Sequence, residues 1–160
     1  MSNITKIVLG TGIGAALIGG VSYLFRLKRT VVDMEINPTV KVHKINLQGL
    51  MLRIDVQLKN PNKTALNIKF PFVKLMYKDV VLGSSQVLNK DIDIPAYGET
   101  NIEKIMLNIP IISLLNFASG LWNSLKKKEL VKIDVQTITT VDLGWKKMPF
   151  NKTQEVTLNA

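Results

Sequence analysis

Antiparallel β structure with one packed helix, preceded by an N-terminal apolar helix, is the fold class this sequence predicts. Three observations predict it. Residues 7–25 are 19 consecutive residues without a charge. Residues 50–59 alternate apolar and polar side chains with the period of a half-buried strand. The rest is a series of short β-prone runs separated by Pro, Gly and Asn, with a single helical stretch among them. Seven or so short strands without crossover helices point to a sandwich of immunoglobulin or fibronectin type. The change of pattern divides the chain into residues 1–29, an anchor helix with a basic flank, and residues 30–160, the sandwich.

At about 1.5 Å rise per residue the uncharged run makes a helix of about 28 Å, close to the roughly 30 Å of bilayer hydrocarbon. Lys6 bounds it on one side and Arg26, Lys28 and Arg29 on the other, with Tyr23 and Phe25 where an aromatic belt would lie. The reading is a retained membrane span. A cleavable signal peptide competes, but charges follow the run instead of a small-x-small cleavage site. Three cations beyond the run against Lys6 before it weakly favour a cytoplasmic body, and the side stays open. Gly10, Gly14, Ala16 and Gly20 lie four apart in two pairs and form a flat face on which a protein helix can pack. Glycine is also simply common in membrane helices, and a helix buried in a protein assembly needs the same all-round apolarity. The run imitates a dinucleotide site as well, since Gly10-Thr11-Gly12-Ile13-Gly14-Ala15 fits G-x-G-x-x-A and Asp33 lies 23 residues beyond Gly10. Context defeats that reading: the following helix has no polar outer face, and no strand and helix alternation comes after it.

In the body, Leu50, Leu52, Ile54, Val56 and Leu58 form the buried face of the clearest strand. It stops at Asn60-Pro61-Asn62, where proline lacks a ladder donor and asparagine favours turns. Residues 40–47 read as its partner across a turn at Gln48-Gly49. Further strands are expected over residues 67–78, 80–88, 90–94, 100–109, 130–141 and 154–158, with turns at Gly83, at Pro95 and Gly98, and at Gly144. One helix begins after Pro110 and ends near Lys126-Lys127-Lys128. Ile111, Leu114, Leu115, Ala118, Leu121, Trp122 and Leu125 are its apolar stripe; Ser113, Asn116, Gly120 and Asn123 are its polar one. The lysines suit the negative end of the helix dipole. The plain role of this helix is to close an edge or end of the sandwich. The sharper one is that Trp122, with Lys126, Lys127 and Lys128, contacts a lipid or an anionic membrane surface.

Composition excludes much chemistry. There are no cysteines and one histidine, so disulfides, thiolate metal sites, Cys nucleophiles and His-based metal centres or triads are out. His43 shares parity with Ile45 and Leu47 and reads as a rim residue of the sheet. Asp91 and Asp93 share a strand face but are too few for calcium, with Lys90 beside them. No catalytic, cofactor or metal residues are expected, and no catalytic elbow or phosphate loop occurs. Three glycosylation sequons, at Asn3, Asn62 and Asn151, are too common a pattern to fix a compartment. The net charge of +9 calls for a negative partner. Nucleic acid is not expected, because the cations are scattered along strands, aromatics number only ten and no recognition helix is evident. A membrane surface uses the same charge with a span already present.

The strand ending in Asn60-Pro61-Asn62, the turn at Leu82-Gly83, the segment Ile94-Pro95-Ala96-Tyr97-Gly98-Glu99-Thr100, and Leu143-Gly144 with Pro149-Phe150 together resemble the type 2 late-embryogenesis-abundant family, or water-stress and hypersensitive-response domain. The resemblance covers about residues 32–158. It implies an immunoglobulin-like sandwich with one helix and a non-enzymatic role linked to desiccation or other stress. It also implies lipid as a candidate partner of anchored relatives. Many bacterial relatives use a lipidated cysteine, where this chain has the apolar run instead. The expected function is a membrane-tethered, non-catalytic module that binds a lipid, a membrane surface or a protein client. The alternative is a structural subunit of an envelope complex or virus particle, with the Gly-rich helix packed on protein.

Overall fold

The computed structural model of the chain describes residues 33–158. The uncharged run, its Gly10, Gly14, Ala16 and Gly20 face and the G-x-G-x-x-A match lie outside the described residues. Among the described residues no helix is long and apolar enough to cross a membrane. The described body is mainly β, with antiparallel sheets and two short helices.

Strands β1 (Glu35–Asn46) and β2 (Gly49–Lys59) make a hairpin. Its two-residue loop is set by Asn46, whose Oδ1 accepts the N–H of Gln48 at 2.9 Å and of Gly49 at 3.1 Å. The inward residues of β2 alternate as expected and are at most 1% exposed. β2 also pairs with β7 (Glu99–Pro110), completing a three-stranded sheet in the order β1-β2-β7. β1 starts before the expected Val40, with Ile36 already buried on the same face, and it takes Pro38 into the strand because only its β2 side carries the ladder.

The expected strand over residues 67–78 is two strands, β3 (Leu66–Lys69) and β4 (Phe72–Tyr77), both paired with the same partner β8 (Val131–Asp142). Pro71 has no N–H to give the ladder, so the line breaks at Phe70-Pro71. The gap is repaired from both sides: the Thr139 hydroxyl donates to the Lys69 carbonyl, and the Phe70 N–H donates to the Lys90 carbonyl at 2.7 Å. β5 (Val80–Ser84) then pairs with β4, and β6 (Asp91–Ile94) with β3. β9 (Lys147–Leu158) pairs along the whole of β8. The two sheets meet edge to edge, β1 beside β9 and β7 beside β5 and β6, and curl around a common core.

The single helix expected after Pro110 is two, α1 (Ile111–Phe117) and α2 (Ser119–Lys126). Ala118 between them leaves helical geometry at φ −143. Ser119 and Gly120 follow at once, a pair of poor helix formers at which kinks occur. The stripe is correspondingly narrower than the periodicity implies. Leu114, Ala118, Leu121, Trp122 and Leu125 are buried, but Leu115 is 51% exposed.

Candidate functional site

The strand registers sort the connections onto two ends of the body. Gly49 faces Pro110, and β4 turns into β5 after Tyr77, near the point where β8 begins; these sit with α1 and α2 at the helix end. Lys59 faces both Glu35 and Glu99, while Leu66 faces Ile94 and Asn67 faces Asp142; these form the opposite end. The twelve residues of β1 separate the ends by about 40 Å.

At the helix end Trp122 is only 8% exposed and packs into the body instead of standing free. Lys126 Nζ lies 4.9 Å from its ring centre, and Lys78 Nζ lies 5.3 Å from that of Tyr77. Each ring thus holds one ammonium group by cation–π attraction. Lys127 and Lys128 follow in solvent. Apolar surface at this end comes from other residues. Leu47 caps the β1-β2 loop at 95% exposure, and Ile112 and Leu115 stand one helical turn apart on α1. The loop and α1 are tied, since the Ile111 N–H donates to the Gln48 carbonyl at 2.9 Å. Of the residues that the sequence groups there, Lys126 meets the Trp122 ring, and Lys127 and Lys128 lie exposed beyond it. Of the three aliphatic residues, periodicity marks only Leu115, as part of the helix's apolar stripe; Leu47 lies beside a turn and Ile112 falls off the stripe.

The opposite end is organised by Asn60, which is 1% exposed. Its Nδ2 donates to the carbonyls of Thr64 at 2.8 Å and Pro95 at 3.1 Å. Its Oδ1 accepts the backbone N–H and the Nδ2 of Asn62, both at 3.1 Å. Its own N–H donates to the Gly98 carbonyl at 2.9 Å. One side chain therefore clasps the β2-β3 loop to the β6-β7 turn. Glu35, Lys59, Asn60, Pro61, Tyr97 and Gly98 line an open cleft of about 420 Å³ beside this clasp. Tyr97 is held at φ 51 with its ring in solvent, and Trp145 stands exposed on the β8-β9 turn.

The carboxylates that could do chemistry are engaged structurally. Asp91 pairs with Lys69 at 2.7 Å, and Asp93 accepts from Asn67 Nδ2 at 2.7 Å. His43 is exposed, at the bulge between Val42 and Lys44. Asp55 sits opposite a bulge of β7 at which Lys104 takes φ 62. Its Oδ1 accepts Arg53 Nε and the Lys104 N–H, each at 2.9 Å. Partial burial opposes its ionisation, but those hydrogen bonds and the charges of Arg53 and Lys41 outweigh it and hold the carboxyl below its ordinary value. A carboxyl depressed in the folded state gives stability that is present above the unfolded value near 3.9 and lost as pH falls through the folded one. Asp55→Asn should accordingly melt below wild type at pH 7, with the gap closing below about pH 4; thermal melts at the two pH values check it.

A family model described as late embryogenesis abundant protein matches residues 55–154. No curated protein matches the chain. Among solved structures, a crystal structure of a protein from Archaeoglobus fulgidus is similar at TM-score 0.52 and 11% identity, over 80% of this chain and 98% of that one. A solution structure from Arabidopsis thaliana is similar at TM-score 0.46 and 18% identity, over 76% and 78%. A late embryogenesis abundant protein studied in solution is similar at TM-score 0.34 and 15% identity, over 99% and 91%.

Proposed function

The chain belongs to the late embryogenesis abundant (LEA_2) family, and from that premise we propose a non-catalytic, stress-type module, tethered to a membrane through residues 7–25, whose helix end binds an anionic lipid, a membrane surface or a protein client. The supporting observation is the pairing of chemistries at that end. Lys78, Lys126, Lys127 and Lys128 supply cations, and Leu47, Ile112 and Leu115 supply exposed aliphatic surface. Cations at the same end as protruding apolar side chains suit an anionic amphiphile better than a small polar ligand. We read the two curled antiparallel sheets as an immunoglobulin or fibronectin-like sandwich. Desiccation or a related stress is the setting that the family suggests.

Each lysine near an anionic surface contributes on the order of 1 kcal/mol and is screened by salt. Replacing Lys126, Lys127 and Lys128 together by Gln should therefore weaken binding of residues 30–160 to anionic liposomes by roughly tenfold or more at low salt. The melting temperature should hardly move, since all three side chains are exposed. Co-sedimentation with liposomes measures the first and a thermal melt the second. A wild-type body that ignores anionic liposomes at low ionic strength sinks the lipid reading. Recovery of the full chain only in a ring or particle of fixed stoichiometry would replace the tethered module by a structural subunit.

A further inference from the structure

The end of the body away from the helices carries the point where the chain arrives from its N-terminal segment. Met34 is 2% exposed, and Glu35 opens β1 opposite Lys59, so the chain is fixed to the core from there on. Residues 26–33 are all that separate this fixed point from the uncharged run, a reach of at most about 28 Å when fully extended. Two side chains at this end have no role in the core. Trp145 is 55% exposed on a turn closed by the Leu143 N–H donating to the Lys146 carbonyl at 2.9 Å, with Gly144 at φ 82. Tyr97 is 67% exposed, yet it is pinned in the left-handed region, its N–H on the Asn62 carbonyl at 3.0 Å and the Gly98 N–H on the Pro95 carbonyl at 3.1 Å. Positive φ is unfavourable for a bulky residue, and here the body gains no burial of the ring in return.

The two turns are neighbours. Asn67 of β3 pairs with Asp93 of β6 on one side and Asp142 of β8 on the other, so the strands leading into the two turns lie about 10 Å apart. Among the described side chains these are the two exposed aromatic ones. Tyr and Trp combine an apolar ring with a hydrogen-bonding group, the combination that concentrates at membrane–water interfaces. Charge around them is mixed, with Lys59, Lys146 and Lys147 against Glu35, Glu99 and Asp142, so electrostatics supplies little of the attraction. We propose that this end is a seat on the bilayer, with Tyr97 and Trp145 at headgroup level in the membrane that holds residues 7–25. The proposal rests on the reading of that run as a span. It assigns the two ends separate work, the aromatic one to seating and the lysine-bearing one to binding.

Tryptophan fluorescence tests it, because the chain has only Trp122, which is buried, and Trp145. The full chain is reconstituted into phosphatidylcholine vesicles, some of them made with lipid brominated near the headgroup. In the Trp122→Phe variant, where Trp145 is the sole emitter, brominated lipid should remove roughly half or more of the emission, and added salt should not restore it. The Trp145→Phe variant should be nearly unaffected. If Trp122→Phe fails to fold, the difference in quenching between wild type and Trp145→Phe gives the same answer. A Leu115→Trp substitution in a chain lacking both natural tryptophans reports the helix end and should stay unquenched. Unquenched Trp145 in a chain that resists carbonate extraction overturns the seat and leaves the span standing. A chain released by carbonate overturns both.

Discussion

Gly49→Ala should cost the body about 4 kcal/mol or more, a large share of the stability expected of a domain this size, and should lower its melting temperature by on the order of 10–20 °C. Gly49 opens β2 at φ 147, where L side chains are rare. A Cβ built there lies 2.0 Å from the Ile109 carbonyl oxygen and 2.9 Å from the Ile111 nitrogen. Both are backbone atoms, so no rotamer change relieves the overlap. The Ile109 carbonyl belongs to the β2-β7 ladder, and the Ile111 N–H ties α1 to the β1-β2 loop. Relief therefore means parting β2 from β7 at their end or detaching α1. Gly144→Ala is the control, since Gly144 also has positive φ but meets nothing within 4 Å. It should cost only the strain of the conformation, about 1 kcal/mol. A thermal melt that shows the two variants equal would remove close approach as the reason for glycine at position 49.

How much of this was legible depended on whether one physical signal decided an element alone. The inward face of β2 is legible in full, because five side chains face one core with an uninterrupted period, although the strand begins at Gly49, which the sequence assigns to the turn. The sequence marks β9 only over its last five residues, although the strand runs for twelve. Its inward positions include Lys152 and Gln154, which break the apolar alternation, and its length comes from pairing with β8, a non-local fact. The apolar pattern hides the break at Phe70-Pro71 despite the proline, because it continues across the break and both halves pair with β8. The sequence places the helical stretch but not its break, since 3.6-residue periodicity survives the departure from helical geometry at Ala118.

For the candidate site, the lysines with Trp122 were visible as composition, whereas exposure was not. A stripe of apolar residues shows which face a helix offers, and only the partner decides how much of it is covered. The stripe contains both Leu115 and Trp122, and only packing separates them, leaving Leu115 51% exposed and Trp122 8%. Trp145 did leave a signal, a tryptophan between Gly144 and Lys146 in a turn, where packing does not call for one.

Asn60→Ala should destabilise the body by about 3 kcal/mol, and the loss should be felt first at the Tyr97 end. The substitution removes both donations of Nδ2, to the Thr64 and Pro95 carbonyls, and both bonds that Asn62 makes to Oδ1. Each such bond contributes about 1 kcal/mol net, and carbonyls left unpaired beside a position only 1% exposed add their desolvation cost. Asn60→Asp separates geometry from hydrogen bonding, since it keeps the shape and the acceptor toward Asn62. It aims a carboxylate oxygen, instead of an amide, at the two carbonyls, and it buries a charge. Asp should therefore be no better than Ala here, although it is the closest residue in size. Native-state hydrogen exchange locates the effect: the Asn60, Tyr97 and Gly98 amides, protected by the Gly98, Asn62 and Pro95 carbonyls, should exchange faster than in wild type. The Ile111 amide on the Gln48 carbonyl, at the far end of β2, should change only with global stability. Uniform acceleration at both ends would mean that Asn60 supports the whole body equally and does not act as a clasp between two turns.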